Sequence, residues 1–273
     1  VTQAARTPEG LALAQAEVDR TLDCTLAVLA AHAGACGLAR TADEARRLKR
    51  EGRRAIFLSI ENSYSLGRDP GRVAALQARG VRMIGLTHML HNDVADSSTD
   101  PRGPEWGGLS PFGREVVAEC NRLGVVLDAS HASDDALRGL FEHSRAPVML
   151  SHSGCRAVCD HPRNIGDDLL RDLAAHGGVI QINALPVAVV ADAEAGRRTV
   201  ALAEVLMQLK DRPLTPDTRA WARKQWQRVD REFPNPPATL EDFIRHVEHA
   251  VAVAGIDHVG IGCDFDGGGG VAG

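Results

Sequence analysis

The sequence has 273 residues, 44% of them hydrophobic and 25% charged, and 31 basic against 36 acidic residues leave a net charge of −5. This balance excludes a disordered tail, a collagen-like fibre and a disulfide-stapled mini-scaffold. With no clustered basic stripe it disfavours a nucleic-acid partner, and no run of about 20 apolar residues marks a membrane span.

Residues 1–5 read as at most the end of a strand. Residues 8–33 read as a helix: Thr7 suits the N-cap, Pro8 the first helical position, and Leu11, Leu22, Leu26 and Leu29 recur near helical spacing. A second helix over 41–51 carries Thr41 as cap and Glu44 three residues on, the pattern of a capping box. The apolar run 55–61 reads as a buried strand ending on Glu61. A helix over 71–79 stops at Gly80, and the strand 81–88 ends on His88. After a polar loop, 91–108, a helix over 110–123 stops at Gly124 and the strand 125–131 ends on His131. The helix 133–143 leads to the strand 147–152, ending on His152, and the helix 167–176 leads to the strand 178–183, ending on Asn183. Residues 191–254 are helical and charged, punctuated by Pro213, Pro216, Pro234, Pro236 and Pro237, and read as a helical insertion. The last strand, 258–264, ends on Asp264 and runs into Phe265, Asp266 and four glycines.

Apolar strands alternating with helices predict a parallel sheet with helices packed outside. The fold class is α/β, a (β/α)8 barrel, whose active site lies at the C-terminal ends of the strands. Glu61, His88, His131, His152 and Asp264 all stand at such ends. Imidazole and carboxylate together suit Zn2+ and similar ions, and a carboxylate can bridge two of them. Asp128, just before His131, reads equally well as a partner of a ligand or as a plain strand-end acid. His91, His161 and His258 read as loop or structural residues, His246 and His249 as surface residues of the insertion, and Asp266 as a turn former. The glycine run 267–270 lacks the Lys-Ser/Thr of a phosphate loop. The six cysteines are scattered, and Cys155-x3-Cys159 has no second pair, so they read as buried or spare thiols.

Ordered along the chain are Gly85-Leu86-Thr87-His88, Asn92-Asp93-x-Ala95-Asp96-Ser97, Gly108-Leu109-Ser110, Asp128-x-Ser130-His131, Ser151-His152-Ser153, Asp160-His161-Pro162-Arg163-Asn164 and His258-Val259-Gly260-Ile261-Gly262-x-Asp264-Phe265-Asp266. In this combination the sequence resembles the membrane dipeptidase (renal dipeptidase) family of zinc peptidases, in the amidohydrolase superfamily. The resemblance covers nearly the whole chain and implies a metallo-dipeptidase, a hydrolase in which a hydroxide bridging two zinc ions attacks the peptide bond of a free dipeptide. It implies tolerance of a D-residue at the C-terminal position. Residue by residue, it makes Glu61 the carboxylate bridging both ions and His131 and His152 the ligands of the second. His88 becomes the residue that polarises the scissile carbonyl and contacts substrate, Arg163 the binder of the substrate carboxylate, and Asp264 the acid that moves a proton from water to the leaving amine.

The family also has a His-x-Asp pair at the end of its first strand, and none is read anywhere in this sequence; His32 is followed by Ala33 and Gly34 in a helix. The chain therefore reads as a single partial barrel domain over residues 1–273, lacking the first one or two strands and the last helix, with about 191–254 inserted before the last strand. Two competing readings are another amidohydrolase acting on N-acyl amino acids or lactones, and a non-catalytic barrel that lost its first metal site. The expected partner is a small peptide with a free C-terminal carboxylate. Family members are often dimers, so a homodimer is the expected assembly. The free-looking cysteines lean towards the cytoplasm, while the family also includes exported and membrane-anchored members.

Overall fold

A computed structural model of the chain describes residues 5–191, 195–213, 215–234 and 236–272; residues 1–4 of the expected strand end lie outside these. The first helix, α1 (Pro8–Ala31), starts where Thr7 Oγ1 accepts the Gly10 N–H at 3.1 Å. Next come β1 (Cys36–Leu38), α2 (Ala42–Arg50), β2 (Arg54–Ile56) and β3 (Leu58–Ile60). Thr41 caps α2 by accepting from Glu44 N, but the Glu44 carboxylate reaches the Arg40 N–H instead of closing the box on Thr41. The expected strand 55–61 is divided at Phe57: β2 pairs with β1, which the sequence did not announce, and β3 joins the main sheet.

The remaining elements are α3 (Gly71–Ala78), β4 (Val81–Gly85), α4 (Pro111–Leu123), β5 (Val126–Asp128), α5 (Asp134–His143), β6 (Met149–Cys155), β7 (Asn164–Ile165), α6 (Asp167–Ala175), β8 (Val179–Ile182), α7 (Pro186–Val189), α8 (Ala195–Leu209), α9 (Pro216–Glu232), α10 (Leu240–Ala254) and β9 (Val259–Ile261). Ser110 and Ser133 cap α4 and α5 through side-chain oxygens, and Gly124 ends α4 in the left-handed region that a glycine adopts without strain. The main sheet is parallel throughout, in the order β3-β4-β5-β6-β8-β9, with β7 alongside β6. Helices α3, α4, α5, α6 and α10 pack side by side in that order, each next to its neighbour. This is the parallel α/β architecture expected, with strands in sequence order and the crossover helices on one side.

Within the region read as an insertion, α8 and α9 pack on each other, while α10 packs on α6, β6, β8 and β9. Arg219 ties α9 to Glu17 of α1 with both guanidinium nitrogens. The core between sheet and helices is aliphatic: Ile60, Ile84, Leu127, Leu150 and Ile180 meet Val116, Val117, Leu137, Leu140 and Leu169. Among the described residues only Tyr64 and Phe243 bring buried Phe, Trp or Tyr rings, in keeping with the composition. All six cysteines are free, and Cys120, Cys155 and Cys159 are buried. Leu140 is fully buried between layers, so Leu140→Ala is expected to destabilise the fold by about 2–5 kcal/mol. A denaturant midpoint that falls at unchanged slope would show this.

Three features aim the strand ends. Ladders β4–β5 and β8–β9 end at Gly85↔Asp128 and Ile182↔Ile261, so His88, His131 and Asp264 stand three residues beyond their strands, where the sequence pattern placed them on the strands themselves. By contrast β6 runs on to Cys155, and His152 lies inside it. Its register with β8 breaks between Leu150 and Ser153, an irregularity of the kind that re-aims a side chain. The end of β9 closes on this break: a Cβ on Gly262 would lie 1.9 Å from the Ser151 carbonyl oxygen, so only glycine permits the approach.

Candidate metal centre

Among the described residues, three non-glycine residues have positive φ: Asn62 at 73°, His131 at 70° and Asp264 at 57°. All three follow strands of the main sheet, at one end of it. Such backbone costs of the order of 1–3 kcal/mol per residue and persists where the surroundings over-determine it.

Glu61, just before the first of these turns, and His131, in the second, meet His152 of β6. Glu61 Oε1 lies 3.2 Å from His131 Nε2 and 3.3 Å from His152 Nε2, and the two ring nitrogens are 3.0 Å apart. Each Nε2 carries at most one hydrogen, and a carboxylate carries none. Every assignment of those hydrogens leaves one edge of the triangle with lone pair against lone pair or hydrogen against hydrogen. A cation among the three relieves all edges at once. Donors about 2.0–2.1 Å from a tetrahedral zinc ion stand roughly 3.3–3.4 Å apart, close to what the triangle shows. The donor set thus fits a divalent metal. Glu61, His88 and His131 form an overlapping group whose ligand atoms lie within 4.8 Å of one another.

Electrostatics follow from burial. Burial drives His131 well below the usual imidazole range, Arg163 adding to it, and takes His88 down to about 4. Both rings are therefore neutral at pH 7. Burial alone would push the Glu61 carboxyl up, but its hydrogen-bonding contacts with His131 and His152 outweigh this and hold it far below the carboxylate range. The His88 ring stands 4.5 Å from that of His131. Arg163 is buried, donates to the His152 carbonyl at 2.9 Å, and is drawn down to about 10 by that burial against the attraction of Glu61, Asp128 and Asp264. Burial and the Glu61 charge raise the Asp264 carboxyl above its ordinary value, against the pull of His152 and Arg163. The six residues singled out in the sequence thus belong to one electrostatic cluster.

Other residues have different places. Asp128 is buried and accepts from Ser130 N, Ser151 N and Ser151 Oγ. Ser151 stood in the stretch Ser151-His152-Ser153 without a role of its own, and Asn62 was not singled out in the sequence. Asn92 donates to Asn62 Oδ1 at 2.9 Å and accepts from Val94 N and Ala95 N, which pins the loop after β4 against the residue following Glu61. Contrary to the expectation that the sequence holds no His-x-Asp, the triplet His91-Asn92-Asp93 has that spacing, but it lies in the loop after β4: His91 contacts Ser97 N and the Gly103 carbonyl, and Asp93 pairs with Arg68. His246 is fully buried, contrary to the surface expectation, between the Cys155 N–H and the Val189 carbonyl, and His249 meets Asp167. A cavity of about 530 Å3 beside the 91–108 loop is lined by Asp100, Asp134, Arg156 and Asp160 and by no member of the triangle, and Arg156 is already paired with Asp134.

The profile of the family described as membrane dipeptidase, peptidase family M19, matches residues 7–273. The chain belongs to the membrane dipeptidase family. Within it, the chain is 37% identical over 231 residues to dipeptidase verJ of Clonostachys rogersoniana, covering 85% of this chain and 48% of that protein. It is 34% identical over 220 residues to dipeptidase aclJ of Aspergillus oryzae, covering 79% and 41%. The chain thus spans about half the length of the curated relatives it matches. Among solved structures, the probable dipeptidase PvdM from Pseudomonas aeruginosa superposes with a TM-score of 0.82 at 31% identity, over 98% of this chain and 71% of that one. A metallo peptidase from Rhodobacter sphaeroides, liganded with a phosphinate mimic of the dipeptide L-Ala-D-Ala, gives 0.70 at 25% identity, over 90% and 60%. The membrane dipeptidase family's metallopeptidase character agrees with the donor set found at the strand ends.

Proposed function

We propose that the protein is a zinc-dependent dipeptidase acting on short peptides with a free C-terminal carboxylate, including those with a C-terminal D-residue. The observation that carries this reading is the triangle of Glu61 Oε1, His131 Nε2 and His152 Nε2, with edges of 3.0 to 3.3 Å and no hydrogen assignment that satisfies it. Those three residues would hold one ion, and a second ion would share Glu61. When bound, zinc supplies Lewis acidity and a water that ionises near neutral pH.

The chain's own residues have separable tasks. Arg163, charged and buried beside His152, grips the substrate carboxylate in bidentate fashion. His88, kept neutral by burial, donates to the carbonyl oxygen as negative charge develops there. Asp264, its carboxyl raised, accepts a proton from the attacking water and passes it to the leaving amine, a task that favours a pKa moved towards the working pH. Metal analysis coupled to a dipeptide panel tests the reading. Hydrolysis that disappears on chelation and returns with Zn2+ is expected; turnover indifferent to chelation would overturn it. Full-length protein is the material to use.

A further inference from the structure

We propose that Asp128 and Ser151 are positioning residues that fix the ring tautomer of His152, leaving its Nε2 lone pair to a divalent metal. The inference rests on the reading of His152 as a ligand. Asp128 Oδ1 accepts from Ser130 N at 2.9 Å and Ser151 N at 3.0 Å, and Oδ2 accepts from Ser151 Oγ at 2.5 Å. The carboxylate has no hydrogen to return, so the single hydroxyl hydrogen of Ser151 is committed to it. Ser151 Oγ also lies 2.7 Å from His152 Nδ1. With its hydrogen on Asp128, the hydroxyl meets the ring only as an acceptor, and Nδ1 must carry the N–H. The neutral ring then presents a lone pair at Nε2, the atom 3.3 Å from Glu61 Oε1.

Two further contacts keep the geometry. The His152 N–H donates to Ser130 Oγ at 3.0 Å, and Ser130 Oγ stands 3.3 Å from Ser151 Oγ, where its hydrogen reaches the remaining lone pair. The register break in β6 spans these same residues, so the bend that turns His152 inward also sets Ser151 against Asp128. His131 has no such device: its Nδ1 is buried without a hydrogen-bond partner. The link is a carboxylate–histidine relay with one hydroxyl inserted, and partners of this kind are worth about 10–100-fold in metal affinity.

The tautomer is read in metal-free, 15N-histidine-labelled protein at pH ~8.5, about two units above the ordinary imidazole value. Two-bond proton–nitrogen correlations are recorded, with the His152 signals identified by their loss in His152→Gln. The expected result is Nδ1–H in the wild type. In Asp128→Asn the amide oxygen stays on the two backbone donors, and the NH2 turns to Ser151 Oγ. The hydroxyl hydrogen swings to His152, which becomes Nε2–H, and zinc affinity falls by about 10–100-fold. Should that variant fail to fold, Ser151→Ala and Ser151→Thr decide: alanine removes the Nδ1–H preference and weakens zinc, and threonine restores both. An Nε2–H wild type, or a tautomer unmoved by Asp128→Asn and Ser151→Ala, overturns the proposal. Tautomers that follow the pattern in a wild type that binds no zinc leave the relay standing and refute the ligand reading instead.

Discussion

Glu61→Gln is expected to lose the metal and the activity while keeping the fold. The carboxylate oxygen of Glu61 is the one formal negative charge in the triangle with His131 and His152. An amide of the same shape removes that charge and brings an NH2 that donates to ring nitrogens. One edge of the triangle still lacks a hydrogen bond, but no carboxylate charge remains to draw a cation into it. A bound metal contributes several kcal/mol of transition-state stabilisation, so kcat/KM is expected to drop by about a thousandfold or more. Metal content per chain should fall in parallel. The thermal midpoint separates this from misfolding. Zinc should raise the midpoint of the wild type, because a ligand bound only by the native state stabilises it, and should leave that of Glu61→Gln unmoved. In chelator the variant should melt close to the wild type, since neither holds the ion and each leaves one edge of the triangle unsatisfied. A variant that retains full zinc and full turnover would remove Glu61 from the site.

Six strands of the main sheet were legible because each is a short apolar run, with buried residues such as Leu58, Ile60, Ile84, Leu127 and Leu150, whereas β7, two residues long, shows no such run. Parallel order followed from the alternation with helices. What the residues could not show is where a ladder ends. His88, His131 and Asp264 lie three residues beyond their strands because the chain leaves the ladder there, with left-handed backbone at His131 and Asp264, and neither side chain announces that conformation as glycine would. Strand β1, Cys36–Leu38, is too short to display a period, and its partner could not be parted from the run that ends on Glu61. Ser151, named in the stretch Ser151-His152-Ser153, was given no role because its link to Asp128 depends on the register between β5 and β6, where Asp128 stands opposite Met149. His246 was assigned to the surface for want of a place for its helix; once α10 lies against β6, the imidazole becomes the acceptor for the Cys155 N–H. The candidate donors were legible from chemistry and strand position, whereas the support beneath them was a matter of registry between distant segments.

If the proposed dipeptidase reading holds, Arg163→Met is expected to abolish the preference for a free carboxylate. The side chain is buried, with its guanidinium on the His152 carbonyl at 2.9 Å, in the field of Glu61 and Asp264. Methionine keeps much of the stem volume and removes the charge. Losing one partner of a buried charge pair costs about 2–5 kcal/mol, which is roughly 30- to several thousand-fold in kcat/KM for dipeptides. For the corresponding C-terminal amides, already without the charge, the loss should be small, so the ratio between the two substrate classes collapses. Arg163→Lys should recover part of the ratio, as a point charge replaces a planar fork. The His152 carbonyl contact gives the outcome its discriminating power. If Arg163 serves only to hold β6 and its bend, the methionine variant will lose dipeptide and amide hydrolysis in equal proportion and zinc with them. If it receives the substrate, zinc affinity will hold and only the carboxylate-bearing peptides will suffer, mainly through KM. A panel of dipeptides against their amides, with metal content measured on the same preparations, distinguishes the two.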